Sequence, residues 1–185
     1  MARGHSWWWY LFAAGLIAAT LFSPLEASRS GIILAAWLWP ALLWSQMGTR
    51  EAQFSTGPLI FSAPRAFPRQ LLATWAAGVA IAAITGSGLI LRLLVARDWP
   101  ALAGWLTATL FIPALALTLG VLTESRKPFE ALYIAWWYTG PLHHLPKLDF
   151  MATTAQSTTP AIYATATAAL LLTACLWRIT RRRLV

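Results

Sequence analysis

Among the side chains able to bind a metal or relay a proton, His143, His144 and Asp149 stand closest together. Neighbouring residues of an extended segment point to opposite sides, so adjacent histidines rarely serve one ion. His5 lies at the far end of the sequence, and no second ligand cluster exists, so no metal site is expected. The reading is that the imidazoles and the Asp149 carboxylate cap or hydrogen-bond a turn. Direct substrate contact and proton handling stay open for the same groups. Glu130 opens a short apolar helix, and ionisable groups within a membrane are functional suspects by default. Arg126 and Lys127 precede it within a turn, so a local ion pair is the alternative. Arg92 lies one turn inside the end of an apolar run and is expected to snorkel to the interface. Cys175 falls inside another apolar run and reads as a small lipid- or core-facing group with no disulfide partner. There is no Ser/His/Asp arrangement, no His-Glu-x-x-His and no pair of carboxylates on one face of a span. There is also no Gly-x-x-x-x-Gly-Lys-Ser/Thr loop, so no ATP site is encoded, and no catalytic residue or cofactor is expected.

What must position these groups is a membrane protein. The chain is 58% hydrophobic and 11% charged, with a mean hydropathy of +0.60, where a soluble domain carries about 25% charged residues. The net charge of +8 sits beside apolar runs, so it reads as a topology signal and as headgroup attraction, not as a nucleic-acid surface. Of twelve tryptophans, Trp7, Trp8, Trp9, Trp37, Trp39, Trp44, Trp99, Trp105 and Trp177 fall near span ends, where indole favours the interface. Trp136 and Trp137 instead fall inside a short helix that breaks at Gly140-Pro141.

Five apolar runs, 8–22, 31–47, 71–95, 100–122 and 161–177, are long enough or nearly so to span. The first has a basic start and lacks a clear small-x-small cleavage site, so it is read as a retained span, with a signal peptide as the alternative. Pro40 is expected to kink the second. Gly86-Ser-Gly88, Gly104 and Gly120 offer close helix approach. Residues 153–159 are a polar connection. The segment 129–151 decides the topology. If it enters the membrane, there are six crossings with both termini inside. The inner side then holds Arg3, Arg50, Arg65, Arg69, Arg126, Lys127, Arg178, Arg181, Arg182 and Arg183, and the outer side holds Arg29, Arg92, Arg97 and Lys147. That division obeys the positive-inside rule, and five crossings break it in either orientation. The expected fold is therefore all-α. It is a single polytopic helix bundle over 1–185 with six spans, the fifth broken as a re-entrant-like helical hairpin before the last. Residues 128–139 enter the membrane and 141–150 fold back near the outer surface. Non-helical backbone at that depth must lie against protein.

The inner connection 48–70 is long. Arg50-Glu51 can open a short interfacial helix, Leu59, Ile60 and Phe61 supply apolar anchors, and Pro64 and Pro68 stop it. Such an element can dock on a cytoplasmic partner or simply lie on lipid. The residues Trp44-Ser-Gln-Met-Gly-Thr-Arg-Glu51, Ser55-Thr-Gly57, Leu59, Ser62-Ala-Pro64 and Arg69-Gln70, followed by Trp136-Trp-Tyr-Thr-Gly-Pro-Leu142 and Pro146-x-Leu-Asp-Phe150, resemble in order and spacing the membrane subunit of type-two ATP-binding-cassette (ABC) exporters. The resemblance implies a permease whose partners are a cytoplasmic ABC ATPase subunit, a second permease subunit (identical or related) and the lipid bilayer. It implies ATPase contact through Arg50, Glu51, Leu59 and Pro64. It also implies an outer hairpin built on Trp136, Trp137, Gly140, Pro141 and Asp149, and a bacterial-type plasma membrane with both termini cytoplasmic. The chain is short for such a permease and has no amphipathic helix before the first span, so it is either a compact member or the C-terminal half of a longer protein. The alternatives are a non-transporting membrane scaffold or assembly protein, and a membrane-embedded enzyme. Lipids, peptides, drugs and antibiotics fit the composition equally as substrates.

Overall fold

The computed structural model describes residues 7–49, 66–143, 145, 148–151 and 160–183. Arg50, Glu51, Leu59 and Pro64, expected as the ATPase contact, lie outside them. Among the described residues all regular structure is helical.

The apolar runs become helices, with breaks where Pro and Gly stand. The first is α1 (Trp7–Phe22). A three-residue turn of helix (Leu25–Ala27) and a π-helical turn (Ser28–Ile32) bring the chain back into α2 (Ile33–Leu38). The expected disturbance at Pro40 is an interruption between α2 and α3 (Ala41–Trp44). The run read as one third span is two helices, α4 (Ala66–Thr85) and α5 (Ser87–Ala96), bent by 64° at Gly86. Then come α6 (Trp99–Thr123), α7 (Lys127–Trp137), a second π-helical turn (Tyr138–Leu142) and α8 (Pro160–Arg183).

Contacts fix the direction of each leg. The Phe12 and Trp39 rings lie 4.5 Å apart, and Ser28 Oγ donates to the Thr20 carbonyl, so α2–α3 returns along α1. Gly88 lies against Ile17 and Thr20, and Arg92 reaches Thr20 and Ser23, so α5 runs with α1. Trp37 meets Trp105 and Met47 meets Gly120, so α2–α3 runs with α6. Tyr133 bonds the Trp37 carbonyl and Trp137 the Leu34 carbonyl, so α7 runs against α2. Phe111 faces Tyr163, and Thr118 Oγ1 donates to the Leu170 carbonyl, so α8 runs with α6. The described chain is thus six legs that alternate in direction.

Two helices, α6 and α8, are long and apolar enough to cross a membrane, or three crossings if the bent α4–α5 pair counts as one. At 1.5 Å per residue α6 is about 37 Å long, more than the roughly 30 Å hydrocarbon core. It is the hub of the bundle. Of its membrane-length window 67% is buried, against 17% for α8. Around it cluster Trp37, Trp44, Trp105, Phe111, Tyr133 and Phe150, all buried. Trp37, Trp44 and Trp105 therefore do not serve as interfacial anchors. They are core, whereas Trp7, Trp8, Trp99 and Trp177 are exposed.

The end of the second leg approaches α6 closely. Gly48, at φ +77°, would place a Cβ 2.8 Å from the Leu117 carbonyl oxygen, and one on Gly120 would lie 2.0 Å from the Met47 carbonyl oxygen. Both neighbours are backbone, which cannot rotate away. Gly120→Ala is therefore expected to destabilise by about 1–3 kcal/mol. Gly15, with open space around it inside α1, is expected to gain up to about 1 kcal/mol on change to Ala. Thermal unfolding of the detergent-solubilised protein, followed by circular dichroism, checks the pair.

Candidate functional site

Of the residues expected at the outer hairpin, Trp136 and Gly140 converge on Leu148, next to Asp149. Pro141, with no N–H, sits in the π-helical turn that ends the α7 leg. There the chain turns, and the Leu145 N–H donates to the Gly140 carbonyl at 3.1 Å. The returning strand of the turn then passes so close that a Cβ on Gly140 would stand 2.0 Å from the Leu148 carbonyl oxygen and 3.3 Å from the Asp149 nitrogen. Trp136 clamps the same point, its indole N–H donating to the Leu148 carbonyl at 3.1 Å. Its ring meets Phe111, Phe150 and Tyr163 at 5.4, 6.3 and 6.2 Å. Trp137 turns the other way and bonds the Leu34 carbonyl at 3.2 Å. Gly140 and Pro141 are buried, and Asp149 is 1% exposed. The hairpin is thus seated in the bundle by both faces of α7.

The titratable groups fall out unevenly. Asp149 donates its N–H to the Leu145 carbonyl at 2.9 Å, and its carboxylate lies within electrostatic range of the Tyr163 phenol. The His143 ring stacks edge-on to Tyr138, with centroids 4.4 Å apart. His144 and His5 are outside the described residues. Glu130 is half-buried in the first turn of α7, and among the described residues no ion pair joins it to Arg126 or Lys127. Cys175 is half-buried against the core. Among the described residues no three His, Cys, Asp or Glu side chains gather.

The same end of the bundle holds a charged corner that sequence reading missed. Arg92 does not reach out to headgroups. Its Nη1 donates to the Thr20 carbonyl at 2.9 Å, to Ser28 Oγ at 3.0 Å and to the Ser23 carbonyl. It thus satisfies carbonyls that the end of α1 leaves without helical partners. Arg29 pairs with Asp98, which also caps α6 by accepting from the Ala101 N–H at 3.1 Å. Asp98-Trp-Pro is a readable helix start. Its partner 69 residues away is not. The Arg29 guanidinium holds the Asp98 carboxyl below its ordinary value of 3.8, helped by the Ala101 N–H and opposed by burial.

Among the described residues the fold is a helical bundle with two or three helices apolar and long enough to cross a membrane, and a hairpin wedged beside its central helix. Comparison with protein-family models, curated proteins and solved structures finds no match for the chain.

Two outcomes follow. Gly140→Ala is expected to free the hairpin, seen as faster proteolysis of 138–151, with Gly31→Ala, which meets open space, as the unaffected control. A carboxyl with a lowered folded pKa is protonated more readily when unfolded. Its contribution is complete above pH 3.8 and fades as pH falls through the folded value. The melting-temperature gap between wild type and Asp98→Asn should therefore narrow on acidification into that window. A constant gap would show that the pair contributes nothing.

Proposed function

We propose that this chain is the permease subunit of an ABC exporter, with six crossings and both termini cytoplasmic in a bacterial-type plasma membrane. Length and composition support two or three crossings. The others rest on the alternation of the six legs and on charge. Arg69, Arg126, Lys127 and Arg178 lie at one end of the bundle, and Arg29, Arg92 and Arg97 at the other, the division that positive-inside orientation requires. The observation that carries the reading is the seated hairpin. It stands at the end with fewer basic residues, opposite the point where 48–70 leaves the membrane. In a permease of this class it closes the outer exit, and the inner connection takes up the motion of a separate ATPase. Two such bundles enclose the path, and rocking between them gives alternating access. No ATP loop occurs in the sequence, so hydrolysis belongs to the partner.

Affinity purification in mild detergent tests this. Wild type is expected to carry a co-purifying ATPase, and Leu59→Asp or the double change Arg50→Glu, Glu51→Arg to lose it by about tenfold or more, equivalent to at least about 1.4 kcal/mol of association. An ATPase that stays bound and equally active in those variants, with no solute moved by membrane vesicles, would favour a scaffold.

A further inference from the structure

The charged corner contains a crevice whose unmet groups are all donors. Arg29 and Trp105 line it together with Leu89, Leu93, Ala101 and Met151. The Arg29 side chain is 11% exposed, and one Nη serves Asp98. Among the described residues its Nε–H has no hydrogen-bond partner. Trp105 is 1% exposed, and among the same residues its indole N–H has none either. Buried donors are nearly always satisfied, so the occupant must be an acceptor. The guanidinium favours an anionic one, because such bonds are shorter and stronger than neutral ones. Nearby Arg92 is committed to its three oxygens, and among the described residues the one ion pair is that of Arg29 with Asp98.

The walls and rim identify what carries the anion. The remaining lining is hydrocarbon or thioether, and Leu94 and Val95, which follow Leu93 on α5, and Trp99, which opens α6, are exposed. The enclosed space is about 10 Å³, room for one oxygen-sized group. It admits a single anionic oxygen, with the body of the molecule lying along the apolar rim. We infer that this crevice binds the phosphate of an anionic phospholipid, one oxygen between Arg29 Nε and Trp105 Nε1, the acyl chains along α5. Met151 belongs to the segment that closes the hairpin, so the lipid touches the hairpin's base and fastens it to α5 and α6. The inference does not depend on transport or on an ATPase.

The test is lipid retention and thermal stability of the full chain in detergent. Phosphatidylglycerol is expected to stay bound through washing and to raise the melting temperature, while phosphatidylcholine and inorganic phosphate do not. Arg29→Lys keeps the charge and the reach to Asp98 but removes the Nε–H. Trp105→Phe keeps the ring against Trp37 but removes the indole donor. Each is expected to lose retained phosphatidylglycerol several-fold and most of the thermal shift, with unchanged helical content. If either variant fails to fold, the other decides. Equal retention in the folded variants, or equal retention of phosphatidylcholine, would overturn the proposal. So would a matching shift from inorganic phosphate alone, which would mark an adventitious ion only.

Discussion

Two long neighbouring helices that point the same way impose the rest of the architecture. Thr118 on α6 bonds Leu170 on α8, and Phe111 meets Tyr163, so the chain must travel back the full depth between them. Among the described residues α7 and its continuation through the π-helical turn make that return. This assigns an otherwise puzzling segment, too short for a span and too apolar for a loop, its place beside the central helix. It also explains the hairpin. A returning leg that stops short has to bring its remaining backbone back against protein, because hydrocarbon offers no partners for exposed peptide groups.

The same constraint accounts for the tryptophans. Indoles donate across leg boundaries to main-chain carbonyls, Trp44 to Gly78, Trp75 to Leu110 and Trp137 to Leu34, and Trp136 does the same within the hairpin, to Leu148. The Tyr133 hydroxyl adds another bond, to the Trp37 carbonyl beside the break that Pro40 makes. Each bond is modest, about 0.6 kcal/mol by analogy with other membrane bundles, but it brings a large apolar ring to the junction with it. Arg92 performs the same service at the end of α1. The aromatic content thus fills space and satisfies backbone in one step, which an all-aliphatic core does not.

Much of the fold is legible in the sequence because periodic apolar runs and their Gly and Pro stops are local signals. Run 100–122 became α6 almost residue for residue and run 161–177 became the longer α8, while α7 ends at Trp137, before Gly140-Pro141, which lies within the π-helical turn that follows. Gly86-Ser-Gly88 was legible as a close approach, and Gly88 does meet Thr20. The 64° bend at the same place needs knowledge of Trp105, which fills the space over Gly86. Trp37, Trp44 and Trp105 stand near span ends by count, and distance along the chain does not reveal which leg covers them. The hairpin residues were found because they are contiguous. The corner of Arg29, Arg92, Asp98 and Trp105 is assembled from four separate legs and turns, so no spacing announces it.

The proposed topology has the chain cross back through α7, which would put the hairpin and the start of α7 on opposite sides of the membrane. Single cysteines at Leu142, Leu145 and Arg126, placed in a Cys175→Ser background in intact cells, measure this with a membrane-impermeant maleimide. The account predicts labelling at 142 and 145 from outside, and at 126 only after permeabilisation. Labelling of all three from the same side would contradict it.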